Sequence, residues 1–234
     1  LILICLNADL EGQSGRDQAS LCHEALRELV LETNEFVTLL GDVKTNGQAT
    51  PGLIQQRLPL IKLADEEALV DKIIQEAAKT ADDNGRTNDA VLLCHIAGEY
   101  DSVVRLLNRA LSEALSVDLG QEPLRLEPLR QGVARGPQTQ LPTLDSSSTL
   151  SMLATDDPIE LAGRVMTLYD QNALWWQNVA RVNRDALGVL SSLNAAKKTV
   201  EAGRYMEALD VSYVLCLLHP CCALLTPFPA NTIS

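Results

Sequence analysis

Aromatic side chains are scarce: two Trp, four Tyr and two Phe in 234 residues. Strands favour aromatic and β-branched residues, so this composition starts badly as a sheet protein. Basic residues are short as well, 19 Lys and Arg against 31 Asp and Glu, for a formal net charge of −12. A surface that tracks phosphates needs the opposite balance, which argues against nucleic acid as a direct partner. The six cysteines, at 5, 22, 94, 216, 221 and 222, form no C-x-x-C and no paired framework, as expected of reduced thiols in cytosol or nucleus. Nucleophile-elbow, phosphate-loop and dinucleotide motifs are missing. No basic segment precedes the apolar run 1–6, so it does not read as a signal peptide. With Leu1 in place of Met, the chain reads as a piece of something longer.

What is present is apolar in one particular way. Hydrophobic residues make up 46% of the chain, with 41 Leu and 25 Ala among them. Both are strong helix formers, and the length suffices for a real core. The expected fold class is all-α.

Residues 17–40 place Leu21, Ala25, Leu29, Phe36, Val37 and Leu40 at helical spacing between acidic residues, which predicts one amphipathic helix. Gly41 ends it, and Asn46-Gly47 with Pro51-Gly52 marks a loop. Asp65 reads as an N-cap before a stripe of Leu69, Ile73, Ile74, Ala77 and Ala81, stopped at Asn84-Gly85. A short helix over 88–97 and a longer one over 101–115 follow. Val103, Leu106, Leu107, Ala110, Leu111, Ala114 and Leu115 share one face of the second, and the pair is expected as an antiparallel αα-hairpin.

Residues 116–155 lose the helical stripe and turn rich in Pro, Gly, Gln and Ser. They read as a flexible insertion or a strap laid over the helices. Asp157-Pro158 restarts the helical region as N-cap and first helical residue. One helix is predicted to about 171 and another over 174–200, with a stripe of Trp175, Val179, Val182, Ala186, Val189 or Leu190, and Leu193. Ala202-Gly203-Arg204-Tyr205 repeats the form of Ala97-Gly98-Glu99-Tyr100. No repeat of fixed length emerges, so the expected architecture is an irregular α-solenoid of stacked antiparallel helices. The division is solenoid over 1–115, insertion over 116–155, continued solenoid over 156–210 and an atypical tail over 211–234. That tail is apolar enough to consider as a membrane span, but His219 and three prolines interrupt it, so no span is expected.

Candidate chemistry is thin. Cys22-His23 and Cys94-His95 pair a thiol with a base in sequence only; helical neighbours point about 100° apart, so a buried Cys beside a half-exposed His is expected. Cys216, His219, Cys221 and Cys222 lack the paired spacing of a zinc site. Asp82-Asp83 and Asp156-Asp157 flank helix boundaries, where acids serve as caps. No catalytic residue, cofactor or metal is expected. Trp176 lies about 100° round its helix from the core-facing Trp175 and is the candidate partner anchor.

Five strings then resemble one family. LCHEALRELVLETNEF at 21–36, ADDNGRTNDAV at 81–91, VVRLLNRALSEAL at 103–115, LGQEPLRLEPL at 119–129 and VNRDALGVL at 182–190 are similar to the nucleoporin-interacting-component family, fungal members in particular. These are linker scaffold nucleoporins of the nuclear pore's inner ring, and the resemblance runs in order from about 1 to 210. It implies the carboxy-terminal part of a rod-like α-solenoid at the nuclear envelope. Catalysis is not implied. The implied work is contact with other inner-ring nucleoporins, including short linear segments of linker nucleoporins, in support of pore assembly and nucleocytoplasmic transport. The amino-terminal coiled-coil segment of the family is missing. After Asp210 the pattern departs from the family, and Val211-Ser212 is what a translated splice donor encodes, so 211–234 is expected as read-through of a retained intron. A helical adaptor or vesicle-coat-like subunit is the alternative function, followed by a Cys- or metal-dependent helical enzyme.

Overall fold

The computed structural model describes residues 13–44, 46–57, 66–129 and 153–218, leaving aside the side chains of 13–20, 22, 23, 57, 66–69 and 212–218. Ten helices and one short hairpin are described. In chain order they are α1 Gln13–Thr33, α2 Phe36–Leu40, β1 Gly41–Val43, β2 Ala49–Pro51, α3 Leu53–Arg57, α4 Glu66–Asp83, α5 Thr87–Ile96, α6 Tyr100–Ser116, α7 Pro158–Asp170, α8 Ala173–Gln177, α9 Arg181–Glu201 and α10 Tyr205–Leu218. The all-α expectation holds, and the helices stack as an irregular solenoid: α1 on α4, α4 on α5, α5 on α6, α6 on α9, α9 on α10.

Three of the joints share one design. Gly85, Gly98 and Gly203 have φ of 73°, 73° and 74°, and each sits just past a helix end. At Gly98 the amide donates to His95 O and the next amide, Glu99, donates back to Cys94 O at 2.9 Å. Gly85 and Gly203 close their helices the same way, through Arg86 N–Ala81 O and Arg204 N–Thr199 O. A left-handed residue here satisfies the orphan carbonyls and turns the chain back, so the next helix runs antiparallel.

The expected single helix over 17–40 is two. Asn34 takes φ 55° and breaks it, a conformation Asn tolerates better than most residues. Arg86, at the entrance to α5, hydrogen-bonds the Asn34 side chain and pairs with Asp89, so the break is held from the next helical layer. The buried face of α1 is centred on Leu26 and Val30, not on Leu21, which is 65% exposed. A Leu-rich helix offers two adjacent apolar stripes, and packing against α4 selects the one carrying Leu26 and Val30.

The expected loop after Gly41 is a two-stranded antiparallel hairpin with Gly41 opposite Pro51 and Val43 opposite Ala49. Gly41 and Gly52 permit it, because a Cβ on either would collide with the backbone of the other. The hairpin tip comes near α8: a Cβ added at Gly47 would lie 3.6 Å from Asn172 Oδ1 and 3.7 Å from the Trp175 ring.

The expected helix over 174–200 is also two, α8 and α9, interrupted at 178–180. The interruption resets the phase, so the stripe drawn from Trp175 through Val182 fails. Val182 is 78% exposed, and Leu187, Asn194 and Ala196 are the buried residues of α9. Asp101 receives the start of α9, accepting from Ala180 N at 2.9 Å and from Asn183 Nδ2 at 2.8 Å. Asn194 Nδ2 donates to Leu111 O at 3.0 Å, so α6 and α9 meet start to start and end to end. They are parallel neighbours, with α7 returning between them and packing on both.

Leu126 and Leu153, both within the 116–155 segment, are buried in the core cluster. Leu126 N donates to Asp156 O at 2.7 Å, and Asn88 Nδ2 donates to Glu127 O and Thr155 O. Asp157 caps α7 as expected, its carboxylate accepting from Ile159 N at 2.8 Å with Pro158 in the first turn.

Candidate functional site

Two neighbouring features of the α4–α8 region carry the side chains that sequence reasoning singled out. The first is an aromatic cluster. His95 from α5, Tyr100 from α6, Tyr169 from α7 and Trp175 from α8 meet with ring centroids 5.0–5.8 Å apart. Three of the chain's eight Trp, Tyr and Phe residues thus gather with His95 where four helices converge, and edge-to-face pairs of this kind add to the burial of their area. Trp175 is buried, as its stripe position implied.

Trp176 lies at the edge of this cluster and is half-buried. Its ring stands edge-on to Tyr169, with centroids 5.5 Å apart, and its indole N–H donates to Asp170 at 2.8 Å. The ring is therefore held against Tyr169 and its polar tip is tied to Asp170. A large aromatic held this way is preorganised, which lowers the ordering cost of any contact it makes.

The second feature is a groove of about 530 Å³ where α4 and α6 splay over α5. Ala78, Cys94, Ala97 and Leu106 give it an apolar floor; Lys79, Asp82, Glu99, Arg105 and Arg109 stand on its walls. Polar bridges span it. Arg109 makes a bidentate pair with Asp82, one arm at 3.0 Å, and Gln75 Nε2 donates to Glu99 at 3.1 Å. The exposed Glu24, Glu28 and Glu32 of α1 lie elsewhere, so the groove is less acidic than the half of the chain that contains it.

Cys94 and His95 do not form a dyad, and their burial is the reverse of the expectation. Cys94 is half-buried on the groove floor, whereas His95 is 2% exposed within the aromatic cluster. Burial, then the carboxylates of Glu99 and Asp82, pushes the Cys94 thiol up to about 11. Burial brings His95 down to about 4. Neighbours on one helix point about 100° apart, so the thiol faces the groove and the imidazole the aromatic cluster.

Of the paired acids Asp157 caps a helix as expected, at the start of α7, while taking Lys198 at 2.8 Å; Asp82, in the last turn of α4, instead holds Arg109 of α6, and Asp156 pairs with Arg125 at 2.8 Å. The Cys216, His219, Cys221 and Cys222 group lies outside the described side chains. Among the described residues no three His, Cys, Asp or Glu side chains gather as a metal set, and no helix is long and apolar enough to cross a membrane.

Sequence reasoning missed His95, Tyr100 and Tyr169 as a group. The available signal was the scarcity of aromatics itself, since rings spaced at 95, 100, 169 and 175 are too few to be scattered filler.

Comparison with known proteins agrees with these features. The Nup93/Nic96 family model matches residues 1–226, running past Asp210. Nucleoporin NIC96 of Chaetomium thermophilum is 47% identical over 210 residues, covering 90% of this chain and 19% of that protein. Nucleoporin NIC96 of Saccharomyces cerevisiae is 34% identical over 218 residues, covering 93% of this chain and 22% of that protein. The chain thus spans about a fifth of the length of these relatives. The crystal structure of Chaetomium thermophilum Nic96 SOL superposes with a TM-score of 0.77 at 45% identity, over 92% of this chain and 30% of that one. Matches of this strength along nearly the whole chain place it in a family: it belongs to the Nup93/Nic96 nucleoporins.

Proposed function

We propose that this chain works as a segment of the nuclear pore's scaffold rod, binding other inner-ring nucleoporins and so supporting pore assembly and nucleocytoplasmic transport. The observation that carries this reading is the 47% identity to a nucleoporin over 90% of the chain. The geometry supports a contact role: an apolar-floored groove between splayed helices and a preorganised Trp176, with the Cys94 thiol and the His95 imidazole facing different surroundings. Short linear segments of linker nucleoporins suit such grooves, because a few apolar anchors fill pockets between helices. Trp176 is the anchor proposed from its angular offset. The working site is the nuclear envelope, at the pore.

A vesicle-coat-like adaptor would share the fold, so the test must discriminate partners. A tagged chain, expressed in fungal cells at native level, should sit at the nuclear rim and co-purify with inner-ring nucleoporins. Co-purification with vesicle-coat subunits and a cytoplasmic punctate distribution would overturn the reading.

A further inference from the structure

The chain contains two Asn-Gly steps, Asn46-Gly47 and Asn84-Gly85. At such a step the backbone reacts with its own side chain: the glycine nitrogen reaches the asparagine side-chain carbon, and glycine puts no Cβ in the way. Both steps sit at turns, with Gly47 at φ 83° and Gly85 at φ 73°, and all four residues are exposed. Both attacking amides are held alike, Gly47 N donating to Lys44 O at 2.8 Å and Gly85 N to Asp82 O at 2.9 Å. Exposure, glycine and the hold on the nucleophile therefore do not separate the two steps.

The amide one residue further on does. Gln48 N donates to Asn46 Oδ1 at 2.9 Å. That oxygen gains negative charge when the carbon bearing it is attacked, so the Gln48 N–H is already aimed where charge develops. The same hydrogen bond folds the Asn46 side chain back along the Gly47 peptide, as in other turns closed by an asparagine side chain. After Asn84 the equivalent donor is spent elsewhere: Arg86 N donates to Ala81 O at 2.9 Å and closes the end of α4. Asn84 is also tied into the helix by its own amide, which donates to Thr80 O at 3.2 Å.

We propose that Asn46 is a site of spontaneous modification, at which Gly47 N displaces ammonia from the Asn46 side chain and the succinimide so formed opens to aspartate or isoaspartate. Gly47 N gives its proton to solvent and bonds to Asn46 Cγ. The Cγ–Nδ2 bond breaks, and Nδ2 leaves as ammonia with a proton from water. One water then adds to the ring. Breaking the new N–Cγ bond gives aspartate; breaking the original peptide bond gives isoaspartate, with the main chain rerouted through the side chain. Water is the only co-reactant and nothing is oxidised or reduced. Each product brings a negative charge, and isoaspartate adds a methylene to the main chain. Both changes fall where the hairpin approaches α8, since a Cβ on Gly47 would already lie 3.7 Å from the Trp175 ring. The reaction needs no partner and is independent of the contact role proposed above.

Ageing the 234-residue chain in mildly alkaline buffer, folded and in guanidinium chloride, tests this, with peptide mapping by mass spectrometry reading conversion at each asparagine. In denaturant the two steps keep only their sequence and should convert at similar rates. In the folded chain Asn46 should convert at least about tenfold faster than Asn84, less than the roughly hundredfold or more that one such donor supplies in a buried enzyme site. Isoaspartyl methyltransferase should label the aged folded chain at position 46. Equal rates in the folded chain, faster conversion at Asn84, or an Asn46 that stays intact in the fold while the denatured chain converts would each overturn the proposal.

Discussion

The Lys197 ammonium lies 2.9 Å from the carbonyl oxygen of Ala114, 83 residues earlier. It reaches Leu115 O and Val117 O as well, so one cation from α9 caps the exposed carbonyls at the end of α6. The last turn of α6 carries no basic residue of its own. The favoured charge at a helix C-terminus is supplied instead from the parallel neighbour. At the other end the debt runs the opposite way: the α6 residue Asp101 serves the start of α9, whose N-cap position is Ala180.

Lys197→Met keeps the aliphatic packing and removes the cap. It should cost about 1.5–3 kcal/mol, the range for hydrogen bonds to a charged group. Urea unfolding midpoints at constant slope measure this. A loss below about 0.3 kcal/mol would mean that water replaces the ammonium without penalty.

Leu107 and Leu111 are each fully buried on the face of α6 that the sequence predicted. Leu107→Ala or Leu111→Ala should therefore destabilise by roughly 2–5 kcal/mol. A value under about 0.5 kcal/mol in thermal or chemical unfolding would show that this helix is not at the centre of the core.

His95 makes stability fall in acid. Its imidazole has a value of about 4 in the fold against 6.5 for the free group, lowered by burial. Below 6.5 the unfolded chain binds a proton that the folded chain refuses, so the stabilisation is complete above pH 6.5 and is lost steadily down to about pH 4. The full effect is on the order of 3 kcal/mol. Unfolding free energies between pH 7 and 4.5 should show it. His95→Phe should flatten the slope; an unchanged slope would assign the acid sensitivity to other groups.

Trp176→Ala should leave the helical circular dichroism signal intact, because the ring is only half-buried, and should weaken an aromatic-anchored partner by about 2 kcal/mol or more. Calorimetric titration with a purified inner-ring nucleoporin segment reads the second effect. Unchanged affinity would remove Trp176 as an anchor, and loss of the fold would reassign it to the core.

Much of the fold was legible in the chain because the physics is local. The Ala81, Ile73 and Ile74 stripe, the Gly85 and Gly98 stops and the Asp157-Pro158 start all depend on residues within one helical turn of each other. The misreadings fall where the deciding partner is distant. Asn34 breaks a helix that periodicity continues, and Arg86 holds that break from 52 residues away. The stop at 178–180 is received by Asp101, 79 residues earlier, so nothing near Trp175 announced that the stripe through Val182 would be turned outward. Of the candidate contact surface, Trp176 was legible by angle, but the groove was not. Its walls come from α4 and α6, and only their splay over α5 creates it.

Crosslinking mass spectrometry of intact pores bearing this chain addresses the scaffold role most directly, because it reads neighbours in the assembled state. Lys79 on the groove wall and Lys198 beside Leu124 and Arg125 give reactive amines on two surfaces. Crosslinks from these lysines to inner-ring nucleoporins, with those from Lys79 lost when the groove is blocked by a bulky substitution at Ala97, are the expected result. Crosslinks confined to vesicle-coat subunits, or to none of the pore's inner-ring proteins, would contradict it.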